Sequence, residues 1–166
     1  MKISKTLIRV LIAFDICVIV GFYLWSRQPQ SFFDDVKSYQ SFAQIKSLPQ
    51  LSNAKWRVTV DSDAEGNDQR PPFKIEDAET NYTHLGFRGK TKFQFYNDRL
   101  WQVSFQPSPA SRILYMNALS KVTGAKLNTM GNARVKNMVY YGPSNLVAWT
   151  DERLSNEINA WIRRYS

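Results

Sequence analysis

His84 and Cys17 are the only histidine and the only cysteine among 166 residues, and this limits the catalytic chemistry open to the chain. Cys17 lies inside an apolar N-terminal run, so a Cys–His pair is excluded, and a metal site with several histidines is impossible. A Ser–His–acid triad would have to use His84, but no nucleophile-elbow motif accompanies it. The seven glycines form neither a phosphate-binding loop nor a dinucleotide fingerprint. We therefore predict a protein that is not an enzyme and has no cofactor, with His84 as a structural residue.

One acidic segment has a spacing that could bind a metal ion. Asp61, Asp63 and Glu65, followed by Gly66, resemble the start of an EF-hand calcium loop. Pro72 stands where the twelfth position of such a loop carries a bidentate Glu, and the flanking segments are predicted to be a strand and a loop rather than two helices. The favoured interpretation is a solvated acidic turn, with these three acids as a weak calcium candidate.

Basic residues concentrate in the second half of the chain. Residues 31–79 contain six Lys and Arg against nine Asp and Glu, whereas residues 80–166 contain twelve against four. This surplus predicts contact with anionic lipid headgroups or an acidic partner, and solvated outer faces of helices and strands are the alternative. Arg88, Lys90 and Lys92 are the basic candidates for such an interface or ligand site. Nucleic acid is not predicted as a partner, because no recognised binding motif is present.

Aromatic residues concentrate in a predicted β-hairpin at 91–106. A three-residue loop at 97–99 would place Phe95 opposite Trp101 and Phe93 opposite Val103, and it keeps each face of the hairpin uniform. Trp101 and Phe105 are candidate residues for an interface or for a cleft that binds a lipid or glycan. The alternative is that these rings are core, since alternation places most of them on one buried face.

Residues 7–25 form a mostly apolar run of 19 residues, close to the length that crosses a bilayer. Lys2, Lys5 and Arg9 precede or open the run, so the positive-inside rule predicts a cytoplasmic N-terminus and an extracytoplasmic C-terminal domain, periplasmic in a Gram-negative cell. A cleaved signal peptide is the alternative, but the small-x-small pattern of a cleavage site is missing. The run therefore predicts an uncleaved single-pass anchor.

Asp15 is the most informative residue of this run, because a carboxylate near mid-bilayer normally faces protein or water. Asp15, with Arg9, is predicted to contact a second membrane subunit, and toleration of a protonated Asp15 by the apolar helix is the alternative. The predicted arrangement resembles that of the ion-driven motor and energiser subunits of the TolR and MotB class, which have a short cytoplasmic start, one helix with an Asp and an outer domain. That resemblance implies Asp15 as a proton carrier, although the outer domain lacks the peptidoglycan-binding pattern of MotB.

The rest of the chain alternates between helical and strand periodicity. The predicted elements are a helix from Ser31 to about residue 48, a strand at 55–60, a loop at 61–79, a short strand near 82–87, the hairpin at 91–106, a helix at 108–124, strands at 133–141 and 146–149, and a terminal helix from 150 or 151. The predicted fold class is α+β: an N-terminal single transmembrane helix followed by a small domain with an antiparallel sheet packed by helices on one face. The predicted divisions are a cytoplasmic segment at 1–6, the anchor at 7–25, a linker at 26–31 and the extracytoplasmic domain at 32–166.

The sequence thus predicts a membrane-anchored accessory, assembly or stabilising subunit of an envelope membrane complex. It would act by protein–protein interaction, and its partners would be integral membrane subunits and membrane lipids. An extracytoplasmic lipid- or glycan-binding domain is the alternative function, and a motor-type subunit that uses Asp15 is a third.

Overall fold

A computed structural model describes Val18, Gly21 and residues 28–62 and 70–166. The described part of the chain is built mainly on a seven-stranded antiparallel sheet, to which a two-stranded sheet and short helices are added. The elements in chain order are β1 (Ser31–Phe33), β2 (Val36–Lys37), α1 (Phe42–Lys46), β3 (Arg57–Ser62), β4 (Lys74–His84), β5 (Phe87–Tyr96), β6 (Arg99–Pro107), a 3-10 turn (Pro109–Ser111), α2 (Arg112–Thr123), β7 (Asn132–Val135), β8 (Met138–Tyr141), β9 (Leu146–Thr150) and α3 (Glu152–Tyr165).

The large sheet has the strand order β3-β4-β5-β6-β9-β8-β7. A single row of side chains crosses all of it, and each member lies directly opposite the next: Val58, Ala78, Phe93, Val103, Trp149, Met138 and Val135. Because side chains alternate between the faces of a strand, this row defines one face of the sheet as the apolar face. The main core forms on that face, where β1, β2 and α1 contribute Phe33, Val36 and Ile45, and α2 contributes Tyr115 and Leu119.

The terminal helix α3 contacts the other face. Tyr96 follows the core residue Phe95 on β5, so its ring points to the opposite side of the sheet. The Phe73 ring bridges the two elements, with its centroid 5.6 Å from that of Tyr96 and 4.3 Å from that of Trp161 on α3. Asp151 caps this helix through a bond from the Arg153 amide.

The predicted fold class is therefore wrong. The chain is dominated by the seven-stranded antiparallel sheet, and its helices lie on both faces rather than one. None of the helices formed by the described residues is both long enough and apolar enough to span a membrane. Apart from Val18 and Gly21, the predicted anchor at 7–25 lies outside the described residues, as do the segment at 1–6 and the first part of the linker.

The hairpin at β5–β6 differs from the prediction at its tip. Asn97 and Asp98 form a two-residue turn with φ of 47° and 58°, so Tyr96 pairs with Arg99. A register irregularity after Gln94 then places Phe95 opposite Leu100 rather than opposite Trp101. Trp101 is the extra residue on β6, since neither Phe95 nor Gln94 lies opposite it. It keeps each face of the hairpin uniform below the turn, as the predicted three-residue loop would also have done.

Three further predicted elements are corrected. The helix expected from Ser31 is replaced by β1, β2 and the short α1, because Phe32, Phe33 and Val36 reach the core from two paired strands. The loop expected at 61–79 is shortened at both ends, since β3 runs to Ser62 and β4 begins at Lys74. The single strand expected at 133–141 is replaced by a hairpin of β7 and β8, in which the chain turns at Lys136 with φ of 52°.

Candidate functional site

A cleft of about 1060 Å³ lies where β4, β5 and β6 meet the start of α2 and the β8–β9 turn. This volume is at the upper end of the range of small-molecule sites. The side chains that give the cleft its chemistry are Asn81, Thr83, Arg88, Lys90, Gln106 and Arg112.

β5 carries two of these cations on the same face. Arg88 and Lys90 are two residues apart, so alternation points both side chains away from the core. Thr83 of β4 lies opposite Arg88, and Lys90 lies between Asn81 of β4 and Gln106 of β6. The floor of the cleft is therefore a patch of cations and neutral hydrogen-bonding groups on paired strands.

Gly89, between these two cations, lets the strands approach closely. A Cβ atom at this position would overlap the Gln106 carbonyl oxygen and would lie 2.6 Å from Cζ of Phe105. The missing side chain allows the Phe105 ring to pack beneath β5 on the core face. The two neighbouring cations are positioned on the other face of that close-packed strand.

Arg112, at the start of α2, is the third cation and is held by backbone carbonyls. Its Nη2 donates to the carbonyl oxygens of Gly142 at 2.6 Å and Thr129 at 3.1 Å. Its Nε is buried and has no hydrogen-bond acceptor among the described residues. Gln106, on the floor of the cleft, contacts the β8–β9 turn, since its Nε2 donates to the Ser144 carbonyl oxygen at 3.1 Å. These bonds order one wall of the cleft.

The charge of the cleft is not balanced within its lining. None of the described residues that line it is acidic. Arg88 and Lys90 form no ion pair or side-chain hydrogen bond with any described residue, whereas Lys92 on the same face pairs with Asp77 at 2.6 Å. Positive groups in a concave site attract anions more strongly than the same groups on a convex surface. The arrangement can hold an anion by charge-assisted hydrogen bonds.

A smaller cleft of about 530 Å³ adjoins the first and shares Asn81, Lys90 and Gln106 with it. Its lining includes Lys92 and, on β3, Arg57, which pairs with Glu79. The cations of this second cleft are therefore partly neutralised. The unpaired charge is greatest on the side of Arg88 and Lys90.

His84 lies on the core face of β4, away from the basic floor. Only 5% of its surface is exposed, and its ring packs against those of Phe105, Tyr115 and Trp149. Nδ1 and the Tyr115 hydroxyl form a hydrogen bond of 2.9 Å. Burial lowers the pKa of His84 to about 4 and raises that of Tyr115 above its ordinary value. A buried, neutral imidazole in this setting stabilises the core.

The structure separates the other predicted site residues. Phe105 is fully buried in the core, and alternation along β6 turns its ring to the core face, away from Arg88 and Lys90. Trp101 is half-buried outside both clefts, and its Nε1 has no acceptor among the described residues. Lys92 lines only the smaller cleft.

The remaining candidates lie at or beyond the limits of the described chain. Asp61 lies on β3 opposite Ile75, one residue before the end of the strand, and Asp63 and Glu65 lie outside the described residues. Among the residues that are described, no group of three or more His, Cys, Asp or Glu could hold a metal ion. Arg9 and Asp15 also lie outside the described residues. The predicted membrane partners, the extracytoplasmic location and the accessory-subunit role stay predictions.

Sequence reasoning missed Arg112 and the β8–β9 turn as parts of the site. The sequence places Arg112 only within the predicted helix at 108–124, and it places Gly142 and Ser144 only between the predicted strands at 133–141 and 146–149. Their contribution depends on contacts across roughly thirty residues of chain, such as the Arg112–Gly142 bond. The available signal was the position of Arg112 in the first turn of a helix, where a cation opposes the helix dipole.

Comparison of the chain with protein-family models, with curated proteins and with solved structures finds no significant match. Assignment of the cleft therefore depends on its geometry and charge.

Proposed function

We propose that the protein is a binding domain whose larger cleft, lined by Arg88, Lys90 and Arg112, holds a phosphate-bearing ligand. The observation that carries the proposal is the presence of three cations and no acid in the described lining of a cleft of about 1060 Å³. A site with an unbalanced positive charge gains stability when an anion occupies it.

The residue types favour phosphate over other anions. Arginine and lysine are the usual ligands of phosphate oxygens, arginine through its planar fork and lysine as a point charge. Asn81, Thr83 and Gln106 add neutral groups that can bond the remaining phosphate oxygens or a neighbouring hydroxyl.

A binding role is favoured over a catalytic one by the position of the titratable groups. Proton transfer to a bound substrate needs an acid or base within hydrogen-bond reach. His84 is buried among aromatic rings on the core face, and the described lining of the cleft contains no carboxylate. The groups that are present can bind and orient an anion.

The proposal is tested by titrating the full-length protein with inorganic pyrophosphate, glycerol 3-phosphate and, as a neutral control, glycerol, using isothermal titration calorimetry. The double variant Arg88→Gln, Lys90→Gln should weaken the binding of the phosphate compounds by at least about tenfold, since one charge-assisted bond contributes about 1.5 kcal/mol. Glycerol 3-phosphate binding more tightly than pyrophosphate would identify a lipid headgroup as the source, and the reverse order would identify a free phosphate compound.

The matched control is the double variant Lys121→Gln, Lys126→Gln. It removes the same charge from two exposed lysines that lie outside both clefts. Its affinity should stay within about twofold of the unmodified protein, because screening weakens the effect of distant surface charges. Equal losses in both double variants, or no binding of either phosphate compound at millimolar concentration, would overturn the proposal.

A further inference from the structure

β3 is an edge strand whose outer side is unoccupied in the described chain. It pairs with β4 without a register shift from Arg57, opposite Glu79, to Ser62, opposite Lys74. No described strand pairs with its other edge. An edge of this kind presents free N–H and C=O groups that can pair with another strand.

β3 lacks several of the features that protect an edge strand. Its six residues include no proline and no lysine, so Arg57 and Asp61 are its only charges, and the register contains no bulge. The opposite edge strand, β7, is shorter, with only four residues. Two valines of β3 are also uncovered, since Val58 is 42% and Val60 51% exposed on the apolar face of the sheet. β3 therefore carries both unpaired backbone groups and an exposed apolar strip.

The sequence of β3 is complementary to itself when two copies run antiparallel. Residues 57–61 are Arg, Val, Thr, Val and Asp. If Thr59 of one copy lies opposite Thr59 of the other, Arg57 faces Asp61 of the second copy, and Val58 faces its Val60. Both ion pairs and both valine pairs form at once, and directly opposed pairs of these kinds stabilise antiparallel strands. Pairing about Val58 instead would place Arg57 opposite Thr59 and lose both ion pairs, and pairing about Val60 would lose both Val58–Val60 pairs.

We propose that β3 is the interface of a symmetric homodimer in which the edge strands of two copies pair antiparallel about Thr59. The interface uses the same patch on both copies, as a two-fold axis requires. It joins two seven-stranded sheets into one continuous sheet by strand addition. Arg57, which already pairs with Glu79 of its own chain, would lie between that carboxylate and Asp61 of the second copy.

The register is tested by cysteine cross-linking of the full-length protein, in which Cys17, its only cysteine, is replaced by serine. Directly opposed residues in antiparallel strands have Cα atoms about 4.5–5.5 Å apart, a separation that a disulfide can bridge. The variant Thr59→Cys should therefore form a disulfide-linked dimer under mild oxidation. The control Asn132→Cys places an exposed cysteine on the opposite edge strand and should form at least about tenfold less dimer, because that edge is not apposed in the proposed pairing.

The variant Val60→Lys tests the interface without a cross-link. It buries a charge against the Val58 of the second copy, so the dissociation constant measured by sedimentation should rise at least about tenfold. A dimer that Val60→Lys leaves intact, or equal cross-linking of the Thr59→Cys and Asn132→Cys variants, would overturn the proposal. A protein that stays monomeric at about 100 µM would also overturn the proposal. That result would favour pairing of β3 with a strand of a different protein.

Discussion

Acidification from pH 7 to pH 4 should destabilise the protein through His84. Burial lowers the pKa of this imidazole to about 4 in the folded chain, against an ordinary value of 6.5, and the charge of Asp34 opposes that shift only partly. Between these two values the unfolded chain binds a proton that the folded chain does not. Folding stability therefore rises with pH through this window and is lost as the pH falls from 6.5 toward 4.

The difference between the two pKa values corresponds to about 3 kcal/mol at 1.36 kcal/mol for each pH unit. Solvent screening does not reduce this figure much, because His84 is only 5% exposed and its neighbours are aromatic rings. A loss of about 3 kcal/mol is a large part of the stability of an ordinary domain. Since this loss is smaller than the stability of an ordinary domain, the protein should stay folded at pH 4 and unfold at a lower urea concentration than at pH 7.

Urea denaturation between pH 4 and pH 7 measures this loss directly when it is compared with the variant His84→Gln. The variant keeps a polar group near the Tyr115 hydroxyl but cannot titrate. It should be less stable than the unmodified protein at pH 7, and the gap should narrow by about 3 kcal/mol at pH 4. Since His84 is the only histidine, one imidazole resonance also reports its pKa in the folded state. Parallel stability profiles for the two proteins, or a midpoint near 6.5 for that resonance, would refute the reasoning.

Two further substitutions test the packing around the site and the start of α3. Gly89→Ala should cost about 1–3 kcal/mol in denaturant unfolding, since the new Cβ overlaps a carbonyl and a core ring, whereas Gly131→Ala, which meets its nearest atom at 3.4 Å, should cost under 1 kcal/mol. Asp151→Ala should cost about 2–3 kcal/mol by removing both the helix cap and the Asp151–Arg153 ion pair, and Asp151→Asn should cost less because it keeps the cap. Equal losses at the two glycines, or equal losses for the two Asp151 variants, would contradict these explanations.

The sequence was most informative where alternation continues over many residues. Phe93 and Val103 were predicted to lie opposite each other, and the register has this pair. The terminal helix was also predicted, with its start at residue 150 or 151, and α3 begins at Glu152. In these segments the local pattern and the tertiary contacts favour the same structure.

The segment after Ser31 shows where such reasoning failed. Its apolar residues have roughly helical spacing, but the chain forms two short strands there, joined by a turn in which Asp34 has a φ of 46°. Phe33 then packs against Tyr82 and Trp149, which belong to strands far along the chain. Contacts of this kind override local propensity and cannot be read from periodicity.

The residues of the candidate site were also only partly predictable from the sequence. Arg88 and Lys90 could be proposed from the sequence because they lie in an alternating basic stretch, and the structure places both in the cleft. Arg112 could not, because its side chain is directed by carbonyls of two separate turns. Local pattern therefore predicts which residues share a strand face, whereas the wall opposite that face depends on the tertiary fold.

Alternation on β5 connects the core to the proposed binding function. The same strand that buries Phe93 and Phe95 carries Arg88 and Lys90 on its other face, so a rigid apolar layer supports the charged one. Dimerisation about Thr59 would preserve this separation, because directly opposed residues of paired strands point to the same side of the sheet. Both basic faces would then lie on one side of the continuous sheet, and two clefts could contact one anionic surface together, which raises the apparent affinity without any new contact within either cleft.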